Sequence, residues 1–157
     1  MSTASPLAQA ADGFRREHRA LDQLLARIRE EFQIGRAVRL DDRESARLLD
    51  ELAALRDHLG MLFALEESPG LSPDIEVVAP RLARPMKLLQ EEHVSLFREL
   101  SQMIDYSERA FSHHVLGDLL DRIERRFEGF QAHFQAHEVR ENRLILEAFN
   151  DEIGTGD

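Results

Sequence analysis

The chain has no cysteine, no tryptophan and a single tyrosine among 157 residues. Without cysteine it can form no disulfide, no thiolate zinc or iron–sulfur site and no thiol nucleophile. With so few aromatic side chains of the Trp and Tyr type it lacks the stacking platforms that hold single-stranded nucleic acid. Basic residues are in the minority, 20 Lys+Arg against 30 Asp+Glu for a net charge of −10, and they form no long cluster. Such a chain repels phosphate backbones and anionic lipid, so neither nucleic acid nor a membrane is an expected partner. No run of about 18 apolar residues exists to span a bilayer. The first ten residues, Met1 to Ala10, have neither the basic nor the long apolar stretch of a secretory signal. The expectation is a cytoplasmic protein whose residues 1–157 make one domain, with 43% apolar residues to build its core. Against these absences stand seven histidines.

The apolar residues recur at alternating steps of four and three, the signature of amphipathic helices. Leu7, Ala11, Phe14, Leu21, Leu25, Ile28 and Phe32 make one such seam, and His18 fills its one gap in phase. Leu48, Leu52, Leu55, Leu59 and Leu62 make a second that ends on Glu66. Leu82, Met86, Leu89, His93, Leu96, Leu100 and Met103 make a third, and Ile123, Phe127, Phe130, Phe134, His137, Glu141 and Leu144 a fourth. Asp41 and Asp42 are suited to capping the second helix. Pro69, Gly70, Pro73 and Pro80 mark the clearest break, and Pro85 suits the first turn of the third helix or a kink in it. The seams predict helices over roughly 6–34, 42–67, 79–105 and 113–149. Long helices with short links predict an all-α, antiparallel up-down-up-down four-helix bundle.

An internal repeat sharpens this picture. An offset of 75 residues, the distance from Glu17 to Glu92, superimposes the first and third seams and the second and fourth. It also pairs Glu17-His18 with Glu92-His93, His58 with His133 and Glu66 with Glu141; the mismatch is Leu62 against His137. The chain reads as two helical hairpins related by a pseudo-twofold axis.

Imidazoles and carboxylates on an inward seam must be paired or coordinated, because burying them alone costs several kcal/mol. With the first turn near residue 38, His18 and His58 both lie about 30 Å along the bundle from it, at 1.5 Å per residue. The inward candidates are His18, His58, Glu66, His93, His133, His137 and Glu141, with Glu138 an alternative to Glu141; His113 and His114 read as surface residues. Five imidazoles and two carboxylates suit iron, with zinc or manganese also possible. Bridging two ions, they leave coordination open to a small ligand. The residues three before His18, His58, His93, His133 and His137 are Arg15, Leu55, Gln90, Phe130 and Phe134. None is glutamate, which disfavours a di-iron carboxylate oxidase of the Glu-x-x-His type. The His-Glu-x-x-His of a hydrolytic zinc enzyme is also absent. The expected role is binding and not catalysis; the alternative is a metal-free helical interaction module.

On Glu17-His18 with Leu21, Phe63-Ala64-Leu65-Glu66-Glu67, Glu92-His93 with Leu96, and His137-Glu138 through Glu141-Asn142, the chain resembles the hemerythrin-like, or HHE cation-binding, family along nearly its whole length. The resemblance implies a four-helix bundle around a non-haem centre of two irons that binds dioxygen, nitric oxide or iron itself, for sensing, carriage or storage. It implies ligands at His18, Glu66 and His93 and in the set His133, His137 and Glu141 or Glu138. Where that family places a histidine four residues before the second-helix glutamate, this chain has Leu62; His58, one turn earlier, is the candidate substitute.

Overall fold

The computed structural model describes residues 6–37, 39–68, 79–112 and 119–154, and the side chains of all of these except 6–11, 14, 37, 149 and 151–154. The seam residues Leu7, Ala11 and Phe14, the break at Pro69, Gly70 and Pro73, and His113 and His114 fall outside that description. Four helices account for almost all of it: α1 (Pro6–Ala37), α2 (Asp42–Glu66), α3 (Ala83–Ser112) and α4 (Leu119–Gly154). No strand occurs among the described residues. None of these helices is long and apolar enough to cross a membrane.

The ends follow local chemistry. Asp41 caps α2, its Oδ1 accepting from the Glu44 N–H at 2.7 Å, and Asp42 and Glu44 put negative charge at the positive end of the helix dipole. Pro80 opens a single 3₁₀ turn, Pro80–Leu82, that buries Leu82 and leads into α3, and Pro85 sits in the first turn of that helix. The third helix runs on to Ser112, past the 105 at which the apolar alternation lapses. Its inner face continues through Ile104, Ser107 and Ala110, all buried. Ser107 is satisfied within the helix, its Oγ donating to the Met103 carbonyl at 2.8 Å, so a polar seam residue does not end it.

Each helix packs on two others, α1 on α2 and α4, and α3 on α2 and α4, which makes a four-helix bundle. The large core is built from the seams: Leu21, Leu25, Ile28 and Phe32; Leu48 through Leu62; Leu96, Leu100 and Met103; and Ile123, Phe127, Phe130 and Phe134. A second, smaller cluster holds Ala79, Leu82, Leu89, Leu144 and Ala148. Along α3 the order is Leu89, His93, Leu96, and along α4 it is Phe134, His137, Glu141, Leu144. A layer of imidazole and carboxylate therefore lies between two apolar clusters.

Candidate metal centre

That layer takes its residues from three helices. Glu66 closes α2, His93 lies about a third of the way along α3, and His137 and Glu141 stand one turn apart on α4. One donor atom from each lies within 4.8 Å of the other three. His93 Nε2 is 3.0 Å from Glu66 Oε2 and 3.7 Å from Glu141 Oε2, and His137 Nε2 is 3.1 Å from Glu141 Oε2. Glu66 Oε2 and both Nε2 atoms are buried, and none has the angles of a hydrogen bond. Three buried polar atoms thus face one point, an arrangement that calls for a shared cation.

The outer nitrogens are held in place. His93 Nδ1 donates to Glu67 Oε1 at 2.9 Å and His137 Nδ1 to Glu92 Oε2 at 2.8 Å, and Arg140 Nη2 donates to the same Glu92 oxygen at 2.8 Å. A carboxylate on one imidazole nitrogen fixes the tautomer, turns the other nitrogen to the centre and raises its basicity. The Phe63 ring lies flat on His93, centroids 4.0 Å apart, and edge-on to His137 at 5.9 Å. That apolar wall keeps water from the two rings.

The charges respond to this crowding. Burial alone would lower the His93 pKa, but its contacts with Glu141, Glu66 and Glu67 raise it to about 10. His137 is likewise raised: burial opposes, and Glu141 and Glu92 prevail. Burial would raise Glu141, yet His137 and His93 bring it down to about 2. Glu66 is raised, chiefly by burial and then by the Glu141 charge, which together outweigh His93. In the metal-free protein these contacts favour protonated imidazole and an ionised Glu141.

The remaining candidates are dispersed. His18 Nδ1 is 3.6 Å from Glu138 Oε1, on the α1 side of α4. His58 and His133, both expected as ligands, are not brought to the centre. His58 Nδ1 donates to Glu17 Oε2 at 2.7 Å, while His133 is 68% exposed beside Glu99 at 3.0 Å. The reason is the helical pitch. Each four-residue step overshoots a full turn by about 40°, so two in succession carry His58 about 80° away from Glu66, and His133 equally far from Glu141. The inward seam runs instead through Leu59, Leu62, Phe63 and Glu66, and through Phe134, His137 and Glu141. Glu138, the alternative to Glu141, turns to His18. The bracing carboxylates Glu67 and Glu92 were not expected in that role, since their periodicity fits a solvated face. The one available signal was adjacency, Glu67 following Glu66 and Glu92 preceding His93.

Compared with family models, curated proteins and solved structures, the chain matches none. The reading of the centre therefore rests on its own geometry.

Proposed function

We propose that this is a non-haem iron-binding protein of the hemerythrin-like kind, an up-down-up-down bundle of two related hairpins that holds metal between its helices. The observation that carries the reading is the convergence of His93 and His137 Nε2 with Glu66 and Glu141, each imidazole braced from outside by a carboxylate. Two neutral nitrogens and two carboxylate oxygens make a mixed donor set that suits ferrous or ferric iron, and also zinc or manganese. Iron bound there would supply an open coordination position and one-electron redox chemistry, the basis for taking up dioxygen or nitric oxide. The family resemblance implies two irons per chain, with His18 and one of Glu138 and Glu141 among their ligands. The protein's own contribution is to hold Glu66 and Glu141 apart from solvent, aim both Nε2 atoms inward and cover His93 with the Phe63 ring.

The test is the metal content of protein produced in iron-replete medium, measured by elemental analysis beside His93→Ala and His137→Ala. One or two equivalents of iron in the parent and loss in both variants support the proposal. No transition metal in the parent, and none taken up on anaerobic reconstitution with ferrous iron, refutes it.

A further inference from the structure

On α2 and α3 an apolar strip faces solvent. Met61 is 53% exposed, Val94 59% and Phe97 39%, and Ala64 is exposed one turn after Met61. Gly60, Ala64, Val94 and Phe97 wall a groove of about 510 Å³ between the two helices, which Glu67 and His93 also line. Gly60 lets the Phe97 ring lie on α2, since a Cβ there would stand 3.3 Å from Phe97 Cε2. The sequence repeat sets Arg19 and Asp22, both exposed, on α1 where α3 has Val94 and Phe97. Exposed aromatic, methionine and arginine side chains gathered on one face, here with Arg98, mark a protein contact.

The charges around the strip select the partner. Arg84, Glu91, Val94, Arg98 and Asp105 recur on one exposed face of α3, at helical spacing. Among the described residues none of these four charged groups makes an ion pair. Arg36, Arg47 and Arg140, by contrast, are spent within the chain on Glu124, Glu31 and Glu92. Laid antiparallel on a second α3, the face is complementary to itself. Glu91 falls opposite the second copy's Arg98, and Arg84 opposite its Asp105. Both pairs centre on one point, between Val94 and Ser95, and Lys87 falls opposite Gln102. The α2 residues centre at the same level. Counting antiparallel from the contact of Gly60 with Phe97 puts residues 62 and 63 across from 95 and 94, so Met61 falls opposite the second copy's Ala64. One twofold axis therefore serves both helices, as an isologous interface requires.

We infer that this α2–α3 face is a homodimer interface, an antiparallel isologous contact in which a second copy of the chain covers the groove. The apolar strip drives association by losing its water, and the two ion pairs, each repeated by symmetry, fix the register. The second copy also shields Glu67, the brace on His93, whose side chain is 45% exposed in the single chain. None of the interface charges is a donor at the centre, so the dimer and the metal site can fail separately.

The test is sedimentation velocity and light scattering of the full chain over a concentration series, at low and at moderate salt. The parent should reach twice the 18.0 kDa of the chain, and do so more tightly at low salt. Val94→Glu, at an exposed position, sets two charges against each other across the axis and should weaken the dimer about 100-fold. Arg98→Glu and Glu91→Arg each oppose like charges twice and should weaken it about tenfold or more. Both substitutions in one chain should restore the parent affinity. Mixing the two single variants should give a heterodimer, in which every pair is matched again. Circular dichroism melts like the parent's separate a lost contact from a lost fold. A monomer at every concentration, including one that takes some other protein on this face, overturns the inference. So does a dimer indifferent to Val94→Glu, or single variants that fail to pair when mixed.

Discussion

The metal-free protein should lose stability as pH rises, and His93 sets the size of the loss. Its pKa is raised from 6.5 to about 10: burial pulls it down, and Glu141, Glu66 and Glu67 more than reverse this. Between those two values the folded chain carries a proton on His93 that the unfolded chain has released. Stability is therefore fully present below about pH 6.5 and falls as pH rises toward 10, by about 1.4 kcal/mol per pH unit for each proton so held. The gap between the two values caps the His93 contribution at about 5 kcal/mol. His137, raised for the same reason, steepens the decline. Glu141, held near 2, adds stability that is complete above its ordinary value of 4.5, so it contributes no slope in this window. Urea denaturation of chelator-treated protein between about pH 7 and 9 measures the slope directly. His93→Phe, which keeps a planar ring against Phe63 and removes the titrating group, should remove the His93 share. Metal must displace the same proton, so apparent metal affinity should rise over the range in which metal-free stability falls. A flat profile in the parent, or an unchanged slope in His93→Phe, would refute the account.

Glu92→Gln weakens the brace on His137 and should lower metal affinity about 10- to 100-fold in a chelator competition; an unchanged affinity would show that the 2.8 Å contact aligns nothing. His133→Ala should shift unfolding free energy by less than about 0.5 kcal/mol and leave metal content as it was, because the side chain is 68% exposed and its Glu99 pair is screened. His58→Ala should likewise leave metal content unchanged, and lost metal would place His58 in the centre after all. Leu59→Ala empties a fully buried core position and should cost about 2–5 kcal/mol in urea denaturation, and a cost under about 1 kcal/mol would contradict the packing.

Much of this was legible because helices print their inner face on the sequence. The alternating steps that end in Leu62 and Glu66, and those that run through Phe134, His137 and Glu141, are the buried seams. His93 was legible for the same reason, as the one polar residue in phase between Leu89 and Leu96. A repeated step of four is nearly straight over one turn and well off over two, so His58 and His133 stand away from Glu66 and Glu141 and meet Glu17 and Glu99 instead. The outer contacts were not legible at all. Glu17 reaches His58 on α2, Glu92 reaches His137 on α4, and Glu67 reaches His93 on α3. Each choice depends on which neighbouring helix stands opposite, and the periodicity of a single helix does not contain that information.

The polar layer has no need to exist for the fold. Leu62 and Leu89 lie to either side of Glu66 and His93, and Phe134 and Leu144 to either side of His137 and Glu141, all buried. Apolar residues at the four positions would join the two clusters into one core, and replacing a buried ionic group with well-packed hydrophobes is often neutral or stabilising. The chain instead keeps two imidazoles and two carboxylates out of water, with three inward atoms lacking hydrogen bonds. It also spends three further charged side chains, Glu67, Glu92 and Arg140, on orienting them. A stabilising role would reward a closed network in which every atom is satisfied. This one is satisfied on its outside and open at its middle, which is the arrangement a site needs if its last partner is to come from solution.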